Sequence, residues 1–190
     1  MLDAFRGEDA RQEEMVRRAR DLAASSPRCG FRDHFEPGHF TGSAWVVNEP
    51  GDKVLLIFHQ KLQKWMQPGG HADGDFDLVR VARREVEEET GLRVVPVWDQ
   101  IYDLDIHSIP PWAAEPAHLH FDVRFVFRAD ETQPLQAGQG VAAVRWVAVD
   151  ALHAICDEES IVRLGKRCQD SFSMHLPPHE CQNRGTEKES

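Results

Sequence analysis

Three acids, Glu85, Glu88 and Glu89, are the residues of this chain whose types and spacing best suit chemistry. They fall in a run from Leu78 to Thr90 that has good helix formers and no internal Gly or Pro. At about 100° per residue, Leu78, Val79, Val81, Ala82 and Val86 share one broad face. Glu85 and Glu89 project within that face and Glu88 lies at its edge, while Arg80, Arg83, Arg84 and Glu87 point away. Like charges at this spacing repel by about 0.2–0.5 kcal/mol per pair. The acids also lie toward the helix C-terminus, where the macrodipole disfavours anions. A cation would offset both costs. Hard divalent cations take oxygen ligands, and Mg²⁺ uses a few carboxylates together with substrate phosphates. The plainer reading is an acid cluster that only solvates the helix.

The flanking residues bear on that choice. A glycine pair, Gly69-Gly70, precedes an acidic turn, Asp73-Gly74-Asp75-Phe76-Asp77, and Gly91 follows the helix. Asp75 or Asp77 can cap the helix N-terminus, and Gly91 suits a left-handed C-terminal cap. Asp73, Asp75 and Asp77 also have the first spacings of an EF-hand loop. Leu78 and Arg84 stand where that loop needs Gly and Glu, which argues against calcium.

Taken together, the stretch resembles the Nudix box, G-x5-E-x7-R-E-U-x-E-E-x-G-U with U aliphatic. Gly70, Arg84, Glu85, Val86, Glu88, Glu89, Gly91 and Leu92 fall in register with it. The resemblance implies a Nudix hydrolase, an α/β/α sandwich with a mixed sheet. Its implied activity is Mg²⁺-dependent cleavage, with Mn²⁺ a substitute, of a diphosphate linkage in a nucleoside diphosphate derivative or related organic pyrophosphate. Glu85, Glu88 and Glu89 then correspond to metal ligands, Gly70 contributes a backbone carbonyl, and Arg84 orients a glutamate. The general base is left between a helix glutamate and His71. Phe76 departs from the pattern, standing where the box has its first glutamate. We expect Asp77, or else Asp75, to supply the missing carboxylate, and the Phe76 ring to bury itself under the loop.

A second segment, His118-Leu-His-Phe-Asp-Val-Arg124, alternates as a strand does. Its His118, His120, Asp122 and Arg124 share one face, expected to touch solvent or substrate; of these His118, His120 and Arg124, with His71, are the candidate substrate contacts. A His-x-His pair can also bind zinc, but no third ligand has an identifiable spacing. The segment and the PGGHxDGD form of the box resemble a bacterial Nudix subgroup.

Two rival functions remain. The first is a Nudix-fold nucleotide sensor that does not cleave, because the Phe76 position and the loop 136–143 both lack an acid. The second is an isopentenyl-diphosphate isomerase, which would need a cysteine in the cleft.

The elements that must position these residues can be read in outline. His39–Val47 and Lys53–His59 read as strands joined by a turn, followed by Lys61–Pro68 and the box. Val94–Ile109 holds one or two strands, in which Asp103, Asp105 and His107 share a face. His118–Phe127 and Val141–Asp150 are further strands, and Ala151–Cys168 a last helix. Residues 1–36 read as a helical arm and linker, 37–176 as the Nudix domain and 177–190 as a disordered tail. Leu2, Phe5, Met15, Ala19 and Leu22 form an apolar stripe on the arm, for packing on the domain or on a second subunit of a homodimer.

Composition excludes several classes. At 190 residues with 41% hydrophobic and 28% charged side chains, the chain can bury a real core. A net charge of −10 argues against a broad nucleic-acid or membrane surface. No apolar leader or membrane-length apolar run is present, and the four cysteines show no CxxC pairing. A cytoplasmic location with reduced thiols is expected.

Overall fold

The run Gly38–Val47 has no Asp, Glu, Lys or Arg and is buried at every one of its 10 positions. A strand buried on both faces belongs in the middle of a sheet covered on both sides. The computed structural model, which describes residues 1–156 and 158–173, places it there. In chain order the elements are α1 (Ala10–Ser25), β1 (Gly38–Val47), β2 (Lys53–His59), β3 (Lys64–Met66), β4 (Gly69–His71) and α2 (Leu78–Thr90). There follow β5 (Val95–Pro96), β6 (Asp103–Ile109), β7 (His118–Arg128), β8 (Val141–Ala148), a 3-10 turn (Val149–Ala154) and α3 (Glu159–Ser173).

β1 pairs in parallel with β7 and antiparallel with β2 and β4. β6 and β5 join β7 antiparallel, and β3 and β8 join β2 antiparallel. The sheet is therefore mixed. One face carries Phe40, Ala44, Phe121, Val123 and Phe125 against Ala82 and Val86 of α2 and Val16, Ala19 and Leu22 of α1. The other carries Trp45, Val47 and Val126 against Ile161, Leu164 and Cys168 of α3. This is an α/β/α sandwich. Burying two such clusters is the main favourable term, at about 25 cal/mol per Å² of apolar surface removed from water.

Several sequence expectations need adjustment. The arm's helix starts at Ala10, where Asp9 accepts from the Gln12 backbone at 2.7 Å. Its Phe5, Met15, Ala19 and Leu22 are buried within the chain's own core. The segment before the box and the start of the box form two short strands, β3 and β4, too brief to show a period in sequence. The expected last helix from Ala151 is a 3-10 turn through Ala154, with α3 beginning only at Glu159. The expected tail, 177–190, lies outside the described residues.

Candidate active site

α2 is capped at both ends by the residues that flank it. The Asp77 side chain accepts from the Arg80 backbone at 3.2 Å, and Gly91 turns left-handed with φ 72° while its N–H bonds Glu87. These caps fix the helix phase. Val81, Ala82 and Val86 are buried, so Glu85 and Glu89, one turn apart, are drawn in beside them toward β4.

There the two carboxylates meet the glycine pair. Glu89 Oε2 accepts the Gly69 N–H at 3.1 Å. The Glu85 carboxyl group lies so close to Gly70 that a Cβ built on Gly70 would fall 2.5 Å from it. Only glycine permits that approach. Arg84 Nη2 donates to Glu85 Oε1 at 2.6 Å and to the His71 carbonyl at 3.0 Å. Its Nε stands 3.8 Å from Glu88 Oε1. Arg84 thus curls back onto the acids instead of pointing away from them, because its long stem spans the turn. Glu85 is 14% exposed and Glu88 63% exposed at the side chain.

Burial dominates the electrostatics. It raises the Glu85 carboxyl above the ordinary range despite the bond to Arg84, and it pushes Glu89 up to about 8, with Glu85 and Glu88 adding repulsion. Desolvated carboxylates this close together disfavour ionisation unless a cation joins them. The donor set is all oxygen, which fits a hard divalent cation such as Mg²⁺.

The acidic turn is tied down separately. Asp73 pairs with Arg32, whose Nε donates at 2.7 Å. Asp75 accepts from the Asp77 backbone at 2.9 Å and from Arg80 Nε at 2.7 Å. Neither Asp75 nor Asp77 has a hydrogen bond or ion pair with Arg84. The expectation that Asp77 replaces the missing box glutamate therefore finds no contact, since capping and Arg80 occupy both acids. The expectation of a buried Phe76 is also corrected: the ring is 58% exposed, touching the chain at Gly30.

The other sheet face holds the second set of predicted residues. Strand register aligns His107, His120 and His39 in one row, Asp105, Asp122 and Thr41 in the next, and Asp103, Arg124 and Ser43 in a third. Arg124 was expected to face solvent or substrate. It is instead 3% exposed, donating to Asp122 at 2.7 Å and Asp103 at 3.1 Å, with Asp105 3.7 Å away. Asp122 also accepts from Thr41 at 3.0 Å and Ser43 at 2.6 Å. Burial opposes the Arg124 charge, and the three aspartates outweigh it. Asp105 is held far below the usual carboxylate range, against its own burial, by His107, Arg124 and Arg163. α3 covers this end of the face, with Arg163 donating to Asp103 at 2.8 Å, so the alternation seen in the sequence marks a charged core.

His118 and His120 are drawn into a histidine group instead. Their rings lie 5.0 Å and 4.8 Å from that of His39, and His71 lies 5.2 Å from His39. Burial lowers His71 and holds His39 at about 4 and His120 at about 2, so these rings are neutral at pH 7. His39 had no signal as a site residue, because only the β1–β7 register brings it to His120. Cys29, Cys156 and Cys168 are all buried, which removes them as cleft nucleophiles for the isomerase reading.

The sandwich and the acid-lined helix define a recognised class. The sequence profile of the NUDIX domain matches residues 39–165, more than half of the chain, and the chain belongs to the Nudix family. It is 29% identical over 133 residues to the m7GpppN-mRNA hydrolase NUDT17 of Xenopus laevis, across 63% of this chain and 45% of that protein. The chain thus spans about half the length of that relative. Among solved structures, a C. elegans Ap4A hydrolase binary complex aligns with TM-score 0.57 at 16% identity, over 72% of this chain and 98% of that one. The NUDIX domain of Shewanella oneidensis NrtR, complexed with ADP ribose, aligns with TM-score 0.54 at 21% identity, over 81% and 97%. At these identities the structures establish the fold. No helix among the described residues is long and apolar enough to cross a membrane.

Proposed function

We propose that this chain is a Mg²⁺-dependent pyrophosphohydrolase that cleaves a diphosphate linkage in a nucleoside diphosphate derivative. The observation that carries the reading is the gathering of Glu85 and Glu89 on the Gly69-Gly70 pair, with burial raising both carboxyls. Glu85, Glu88, Glu89 and the Gly70 carbonyl would hold the cation. A bound divalent ion polarises a phosphoryl oxygen and lowers the pKa of a coordinated water. The residues of the chain do the rest. Glu89 is held in place by the Gly69 N–H. Arg84 locks Glu85 in one orientation and ties it to β4 through the His71 carbonyl. The His71 ring lies with His39 and His120 instead of with the acids, which supports a helix glutamate as the acceptor of the water's proton.

The named ligands of the relatives, an m7GpppN cap, Ap4A and ADP ribose, are all phosphoanhydrides on a nucleoside, and that shared chemistry is the substrate class proposed here. A net charge of −10 favours a small molecule over a nucleic-acid polymer. The test is a screen of purified full-length protein against nucleotide sugars, dinucleotides, ADP-ribose, nucleoside triphosphates and coenzyme A in Mg²⁺. Turnover of at least one, abolished by chelator and by Glu88→Gln, is expected. Binding without turnover of any of them would favour the sensor reading.

A further inference from the structure

Histidine rings cluster on β1, β4 and β7, on the sheet face opposite α2. The ligand nitrogens of His39, His71 and His120 all lie within 4.8 Å of one another. Around a zinc ion with nitrogens at about 2.1 Å, tetrahedral ligand atoms stand about 3.4 Å apart, so small ring rotations close the gap.

The hydrogen bonding of these rings suits ligation. His39 is 1% exposed, and its Nδ1 faces the His34 carbonyl at 3.2 Å. A carbonyl can only accept, so Nδ1 carries the proton and Nε2 keeps its lone pair. That Nε2 is buried and has no hydrogen-bond partner, and the same holds for Nε2 of His120. A metal-bound histidine commonly has this arrangement, one nitrogen donating to a backbone carbonyl and the other free for the ion. A buried polar atom left without a partner costs about 1–3 kcal/mol, so two of them within one group of rings call for an occupant.

We infer that His39, His71 and His120 form a second metal site, for a divalent transition ion of the zinc class, distinct from the carboxylate site on α2. Imidazole nitrogens suit Zn²⁺, whereas Mg²⁺ prefers the oxygen set of Glu85, Glu88 and Glu89. Three protein nitrogens leave a fourth position for water or a ligand oxygen. An ion there would tie β1, β4 and β7 together beside Gly70.

Zinc titration of the chelator-stripped full chain, in excess Mg²⁺ to fill the carboxylate site, tests this. One equivalent of Zn²⁺ should bind, and Co²⁺ in its place should give visible d–d absorption. Losing a supporting group beyond the ligands already costs about 10–100-fold in affinity, so His39→Asn and His120→Asn should each weaken Zn²⁺ by at least about a hundredfold. Glu88→Gln should leave it unchanged, as should the combined His175→Asn, His179→Asn and Cys181→Ser change, which removes other possible ligands outside the described residues. Circular dichroism checks that the variants fold. If they do not, X-ray absorption of the wild-type zinc protein should count at least three imidazoles at about 2.0–2.1 Å. No saturable Zn²⁺ binding, binding that survives both histidine changes, binding lost with Glu88 or with the 175–181 residues, or fewer than three imidazoles would overturn the assignment.

Discussion

The Arg84 guanidinium donates to the carboxylate of its own neighbour, Glu85, at 2.6 Å and reaches the His71 carbonyl at 3.0 Å with the same nitrogen. One side chain thus clamps α2 to β4 and orients a candidate metal ligand. Arg84→Ala should lower kcat about 10–100-fold, the usual cost of removing a group that supports a ligand, while metal binding persists. Steady-state kinetics with calorimetric Mg²⁺ titration check this. A raised KM with unchanged kcat would place Arg84 on the substrate instead.

The two adjacent glycines should respond differently to the same substitution. A methyl on Gly70 would strike only the flexible end of Glu85, at 2.5 Å. Gly70→Ala should therefore fold with little change in Tm and lose about a hundredfold in kcat, because displacing a reacting group by about 1 Å costs that much. A methyl on Gly69 would meet the Ser43 side chain at 2.2 Å and its backbone at 2.9 Å. Gly69→Ala should lower Tm markedly. Thermal melts alongside turnover separate the two.

Glu89 should make stability fall with rising pH in protein stripped of divalent cations. Burial lifts its carboxyl from 4.5 to about 8 in the folded state. Between those values the folded protein keeps a proton that the unfolded chain has released, so stability declines as pH rises through the window. Glu89→Gln should remove that falling contribution and raise Tm at pH 8, while abolishing Mg²⁺-dependent turnover. Urea denaturation of both proteins across pH 5–8, with added chelator, is the measurement. His39, His71 and His120, buried as neutral rings, raise stability with pH over the lower part of this range in both proteins. The readout is therefore the wild-type-minus-variant difference, and a difference that fails to fall as pH rises would remove the burial argument.

Arg124 should behave as a structural residue. Its removal leaves Asp103, Asp105 and Asp122 without their shared cation in a buried setting. Breaking such a network by deleting one partner costs about 3–5 kcal/mol. Arg124→Met should lower the unfolding free energy obtained from urea denaturation by that amount. If it left stability intact and raised only KM, the side chain would be a substrate contact after all.

The sequence alone determined the features that depend on neighbours a few positions apart. The Leu78–Thr90 helix, its Gly91 cap, an N-cap at Asp75 or Asp77 and its acid-bearing flank follow from short-range spacing, which the chain carries locally, and the structure selects Asp77 as the cap. Strand alternation likewise put Asp103, Asp105 and His107 on one side of their strand and His118, His120, Asp122 and Arg124 on one side of theirs, and the pairing of the two strands makes these a single sheet face. What those faces meet was decided by tertiary structure. Arg124 became a core cation because α3 closes over it, and His39 joined His120 because β1 and β7 pair in one register across 81 positions of sequence. Phe76 remained exposed because Gly30, on a separate loop, leaves its ring only partial cover. A helix specifies its own face by its period, but a strand specifies only which residues share a side. The partner, the register and the covering layer come from contacts between distant segments, and these made a charged network of one half of the face and a histidine cluster of the other.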